Sequence, residues 1–147
     1  MENTQFLKTM IDFSFQLKRV FSLYIENEID LTYPQWRVMK AIVSSKSNSS
    51  AKEIADILGF DKVTISDIVN RLLRKGYLTK KIDENDRRRN VLSISKEANS
   101  LCKNVIRLED NFNKTLFSDL NQQSIDGYTS TTNVLLNKLN NMNGSKK

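Results

Sequence analysis

The chain has 147 residues, a formal net charge of +6, no histidine and one cysteine, Cys102. That length suits one domain or one domain with extensions, and the basic balance points to an anionic partner, nucleic acid or a membrane surface. A zinc site needs about four ligands, a Ser-His-Asp or Cys-His arrangement needs a histidine, and a phosphate loop needs clustered glycines, so neither an enzyme nor a resident metal or cofactor is expected.

No run of about 18 apolar residues is present to cross a membrane. The first eight residues hold an early acid and no apolar signal core. A lone cysteine cannot form an intrachain disulfide, and the three features together read as a cytoplasmic protein.

Residues 3–29 read as one long amphipathic helix. Phe6, Met10, Phe13, Leu17, Val20 and Tyr24 recur at helical spacing, and Phe21 and Ile25 widen the stripe. The near-heptad pattern favours association with a partner helix as well as packing on its own domain. Thr32 and Gln35 then form a capping-box pattern with Pro34 in the first turn, opening a helix to about Val43. Trp36, Met39 and Val43 share one face of it. Residues 44–49 are a polar loop by composition.

Ser50 and Glu53 make a second capping box and open a short helix carrying Ile54, Ala55 and Leu58. Gly59 suits the turn that follows, since it takes a positive φ without strain. A second helix from about Lys62 to Lys75 carries Ile65, Ile68, Val69 and Leu72, with Gly76 in the position a helix end prefers. Two short helices meeting at a glycine follow the logic of a helix-turn-helix, whose second helix enters the DNA major groove. Residues 77–82 and 90–94 read as a strand pair around a polar loop. Ser95 is a candidate cap for the next helix, with Leu101, Val105, Leu108, Phe112, Leu116 and Leu120 on its stripe. Asn121 is a stop and a fresh N-cap. Ile125, Tyr128, Leu135, Leu139 and Met142 continue in a last helix weakened by Gly127, and a frayed tail is expected from Asn143.

On the second short helix, with the apolar residues turned inward, Lys62, Thr64, Ser66, Asp67, Asn70 and Arg71 face outward in varying degrees. These types bond base edges and phosphates. Asp67 is the exception, since it repels phosphate; it either accepts from cytosine or pairs with Arg71 one turn on. Between Lys62 and Asn90 lie nine Lys/Arg and four Asp/Glu, a net of +5 in about a fifth of the chain. Arg87, Arg88 and Arg89 at the hairpin tip are candidates to enter a minor groove, where a narrow A·T tract deepens the negative potential. Asp86 is placed to hold one of them.

The stretch from Ser50 to Ser95 resembles the winged helix-turn-helix of the MarR family of bacterial transcription regulators. The likeness covers about Phe6 to Leu139. It is carried by Leu31-Thr32-Tyr33-Pro34-Gln35-Trp36, Glu53-Ile54-Ala55, Leu58-Gly59, Leu72 through Gly76 and Asp86-Arg87-Arg88, together with the order of elements. It implies a mainly α fold with a small β-hairpin wing: an N-terminal dimerisation helix (1–31), a DNA-binding lobe (32–95) and C-terminal dimerisation helices (96–147). It also implies a homodimer, with Phe6, Met10, Phe13, Leu17, Leu135 and Leu139 at the interface, that binds double-stranded, pseudopalindromic promoter DNA as a repressor or other regulator. On that pattern Arg88 is the minor-groove residue of the wing and Asp86 its structural partner.

Family members are often released from DNA by phenolic or other amphipathic small molecules. Phe13, Tyr24 and Trp36 are candidate walls for such a pocket, although core packing is the better-supported role for each. Cys102, among Leu101, Val105 and Ile106, reads as a buried, inert thiol. The chain departs from the family where Val63 replaces a frequent Ser or Thr, where Asp67 replaces a frequent basic residue, and where Ala98 replaces a glycine. The first two departures keep open an architectural DNA-binding protein of low sequence specificity.

Overall fold

The computed structural model describes residues 3–144. In chain order it has α1 (Asn3–Glu28), α2 (Tyr33–Ser44), α3 (Ala51–Leu58), α4 (Lys62–Arg74), β1 (Leu78–Ile82), β2 (Asn90–Ile94), α5 (Asn99–Phe117) and α6 (Gln122–Gly144). The chain divides into two compact units, Met1–Leu108 and Glu109–Lys147.

The first unit is built around α2, which touches α1, α3, α4 and β2. Both expected capping boxes form. Gln35 N–H donates to Thr32 Oγ1 at 3.2 Å, and Thr32 N–H donates back to Gln35 Oε1 at 3.1 Å. Glu53 N–H donates to Ser50 Oγ at 3.2 Å, and Ser50 N–H to Glu53 Oε2 at 3.1 Å. Each box satisfies two of the four amides that a helix start leaves without intrahelical partners. Trp36, Met39 and Ile42 of α2, Ile25 of α1, Ile54 of α3, Leu72 of α4 and Leu92 of β2 are fully buried or within a per cent of it. Trp36 is therefore core, and it has no open face to offer as a pocket wall.

Gly59 takes a left-handed conformation (φ 73°, ψ 25°) and turns α3 into α4. Asp61 caps α4 by accepting from Thr64 N–H at 2.7 Å, and that contact lowers the Asp61 pKa below the usual carboxylate range. Gly76, at φ 76°, leads out of α4 into the hairpin. The strands β1 and β2 pair antiparallel from Leu78↔Ile94 to Ile82↔Asn90.

Three local readings of the sequence are revised. The loop at 44–49 is more than a polar connector: Ser49 is buried and bridges β2, accepting from Leu92 N–H at 2.9 Å. To get there the chain turns through Lys46 (φ 55°) and Ser47 (φ 57°), two residues without the glycine that normally marks such a turn. Ser95 does not open α5 directly. It accepts from Ala98 N–H at 3.2 Å and donates to Gly76 O at 2.6 Å, tying the end of the hairpin to the end of α4, and α5 starts only at Asn99. The expected tail is helical to Gly144; residues 145–147 lie outside the described residues.

In the second unit, Asn121 caps α6 as expected, its Oδ1 accepting from Ser124 N–H at 2.8 Å. No residue of α6 is buried.

Candidate nucleic-acid interface

The geometry of α4 separates two faces. Ile65, Ile68, Val69 and Leu72 are buried. At about 100° per residue, the line opposite them runs through Val63, Asp67, Asn70 and Arg74, with Ser66, Arg71 and Thr64 on its shoulders. All seven are exposed, and so is Lys62, which lies nearer the buried edge. The expected contacts Thr64, Ser66, Asp67, Asn70 and Arg71 thus share one surface. Two residues on its centre line, Val63 and Arg74, are not among the DNA contacts expected from the sequence. The same 3.6-residue arithmetic places them there; at Val63 the position marks a contact that the apolar residue type does not.

Asp67 is paired with Arg71, Nε to Oδ2 at 3.2 Å. Both side chains are well exposed, so the pair contributes only about 0.3–0.5 kcal/mol. Its effect is directional: it engages the Nε edge of the guanidinium and not the two terminal amino groups.

The three arginines of the hairpin tip do not share one environment. Arg87 and Arg88 are exposed. Arg89 is turned inward. Its Nε donates to Glu53 Oε1 and its Nη2 to Glu53 Oε2, both at 2.8 Å. Its Nη1 donates to Asp83 Oδ2 at 2.7 Å, and Nη2 also reaches Asn48 O at 2.8 Å. A guanidinium in this bidentate fork has few donors left for a phosphate. Arg89, expected at the DNA with its neighbours, is instead a latch between the wing, α3 and the 44–49 turn. Asp86 acts on the wing through the backbone. Its Oδ1 accepts from the backbone N–H of Arg88 at 3.0 Å, and its carbonyl from Arg89 N–H at 3.0 Å. It shapes the turn that presents Arg88 and grips no arginine side chain.

The latch shifts its members in a consistent direction. The Arg89 hydrogen bond holds the Glu53 carboxyl below its ordinary pKa. Asp83 is lowered first by the Asn85 backbone N–H and then by Arg89, while Arg89 itself is raised. Carboxylates with lowered pKa values contribute stability that is fully present above their unfolded pKa, near about 4, and lost as pH falls through the native values below it. The latch is therefore insensitive between about pH 5 and 8 and opens only in acid. Arg89→Ala should release the wing: if the docked fraction falls to about a tenth, apparent DNA affinity falls about tenfold. Fluorescence anisotropy with labelled DNA, beside limited proteolysis of the hairpin, measures both effects; unchanged affinity with a protected hairpin would refute the latch.

An open groove of about 580 Å³ runs between the start of α3 and the wing, with Lys52, Glu53, Lys80 and Arg88 on its walls. None of Phe13, Tyr24 or Trp36 lines it. Phe13 and Tyr24 are exposed on α1, 41% and 39%, and Trp36 is sealed in the core, so the three are not gathered in this groove. Of the expected dimerisation residues, Phe6, Met10, Leu17 and Leu135 are half-buried, while Phe13 and Leu139 are exposed. Cys102 is buried, and burial pushes its thiol pKa up, which disfavours the reactive thiolate. Among the described residues no cluster of His, Cys, Asp or Glu is arranged to hold a metal ion, and no helix is long and apolar enough to cross a membrane.

Comparison with known proteins is consistent with this geometry. Residues 29–89 match the model of the MarR family. The HTH-type transcriptional regulator SarT of Staphylococcus aureus (strain MSSA476) is 28% identical over 99 residues, covering 67% of this chain and 79% of SarT. Among solved structures, a MarR protein from Peptoclostridium difficile DA00132 superposes with a TM-score of 0.85 at 18% identity, covering 100% of this chain and 95% of that one. The S. aureus MepR–DNA complex gives 0.79 at 20% identity, covering 94% and 99%. At these identities the structural likeness speaks for the fold.

Proposed function

We propose that the chain is a winged-helix transcription regulator of the MarR family, a reading supported by the family match over residues 29–89 and the likeness to SarT, and that it binds promoter DNA as a homodimer. In this reading α4 lies in the major groove and the wing reaches the adjacent minor groove with Arg88, Arg87 beside it on the phosphates. Residues 1–31 and 96–147 pair the two copies, and 32–95 form the reading lobe. The target is a pseudopalindrome whose half-site centres lie about one helical turn, roughly 34–36 Å, apart. The protein works in the cytoplasm as a repressor, and an amphipathic small molecule, with Phe13 and Tyr24 among its contacts, releases it.

One observation carries the proposal. The +5 segment between Lys62 and Asn90 spans α4 and the wing, and it leaves Lys62, Arg71 and Arg74 exposed on α4 and Arg87 and Arg88 exposed at the tip of the wing. A merely soluble surface has no reason to gather nearly all of the chain's net charge there.

A second reading keeps the DNA and drops the sequence preference. It is favoured by Asp67, which is engaged with Arg71 and adds negative charge in the middle of the reading face. Selection of bound fragments from genomic DNA with the purified protein, followed by competition of the winning fragment against random DNA, separates the two. A specific regulator should prefer its site by about 10³-fold or more. A ratio near one favours an architectural protein, and no retention of any DNA overturns both.

A further inference from the structure

We propose that Val63 is a specificity-determining residue that reads the 5-methyl group of a thymine in the major groove, an inference that rests on the DNA-binding reading above. Val63 is 79% exposed, the most exposed of the described large apolar side chains. It stands in the first turn of α4, one residue after the helix begins at Lys62. A recognition helix meets base edges with its N-terminal residues.

Neither packing nor propensity accounts for a valine here. The inward face of α4 is complete without it, in Ile65, Ile68, Val69 and Leu72. A β-branched side chain is a modest helix former, inferior to the Lys, Glu or Gln that an exposed helix position favours. Nor is Val63 part of an apolar patch along its own helix: Lys62, Thr64, Ser66, Asp67 and Asn70 are its neighbours on α4. An isolated, stiff, branched apolar group on a polar reading face matches an isolated apolar group on the surface that face meets. The major-groove edges of the bases offer one such group, the thymine C5-methyl. The β-branch holds the χ1 of Val63 nearly fixed in a helix, so little rotamer freedom is lost when the contact forms.

The test removes the methyl group from the DNA and not from the protein. Each thymine of the selected site is replaced in turn by deoxyuridine, which keeps the base pair and the O4 acceptor. At one position in each half-site, deoxyuridine should weaken binding of the unmodified protein by about fourfold, the worth of one buried methyl-sized group. Val63→Ala, which removes the contact from both half-sites of the homodimer, should bind the thymine-containing site about 16-fold more weakly, about fourfold for each half-site, and should no longer distinguish thymine from deoxyuridine there. If deoxyuridine has no effect at any position, or if the effect persists unchanged in Val63→Ala, the assignment is wrong while DNA binding stands. If no fragment is bound, the DNA-binding reading fails and the assignment fails with it.

Discussion

Between about 50 and about 200 mM salt, DNA affinity should fall by roughly 10³–10⁵, the loss expected when about 6–10 phosphates are neutralised. The structure bears on that count. Of the nine cations between Lys62 and Asn90, four are engaged within the chain. Arg89 is latched to Glu53 and Asp83, Arg71 pairs with Asp67, Lys75 with Asp30 at 3.4 Å, and Lys81 with Glu84 at 3.8 Å. Lys62, Arg74, Lys80, Arg87 and Arg88 make no ion pair among the described residues, which gives ten such cations in a symmetric dimer. Not all ten need reach a phosphate for the range to hold. Arg88→Ala removes two from the dimer and should flatten the slope of log affinity against log salt by about two, without unfolding the protein. Anisotropy titrations at four salt concentrations measure this; an unchanged slope would remove Arg88 from the interface.

A second large effect is expected from α1. Its first eighteen described residues contain none that is buried, yet they carry Leu7, Ile11, Phe15 and Val20 at 53%, 54%, 69% and 48% exposure. Only Phe21 and Ile25, near its end, are buried. In α6, Val134, Leu136 and Leu139 are likewise exposed. Two long helices with so much uncovered apolar surface are what a homodimer would bury. Placing aspartate at both Ile11 and Phe15 should therefore give a monomer in sedimentation velocity. Because the second half-site then no longer binds at a high effective concentration, affinity for a palindromic site should drop by about 10²–10⁴. A double variant that sediments like the unmodified protein would show that this face does not pair the copies.

Much of the fold is legible in the sequence because its boundaries are set locally. Thr32, Ser50 and Asn121 each announce a helix within a three-residue reach, and Gly59 sits where a positive φ is needed. What was not legible depends on partners far along the chain. Three consecutive arginines look equivalent on paper, and only the hairpin register distinguishes them. Because Ile82 pairs with Asn90, Arg89 falls one step beyond the last pair, beside Asp83. The other half of its anchor is Glu53, 36 residues earlier. The bridge at Ser49 has the same character, since nothing in a run of serines reveals that one of them will accept from Leu92. On α1, Phe6, Met10, Phe13 and Leu17 mark one face. Leu7, Ile11 and Phe15 form a second face that is more exposed, so the apolar arc is wider than a single heptad seam.

Glu53 has a consequence for how the lobe opens. Its carboxylate closes the capping box that starts α3 and also receives the Arg89 fork that seats the wing. The first turn of α3 and the loop end of the hairpin are thereby fastened through one side chain. They should exchange their amide hydrogens with solvent as a single cooperative unit, not as a stable helix beside a fraying arm. The same linkage sets a rule for chimeras. A hairpin grafted onto this lobe will dock only if it brings an Asp83–Arg89 equivalent that meets the carboxylate already waiting in α3.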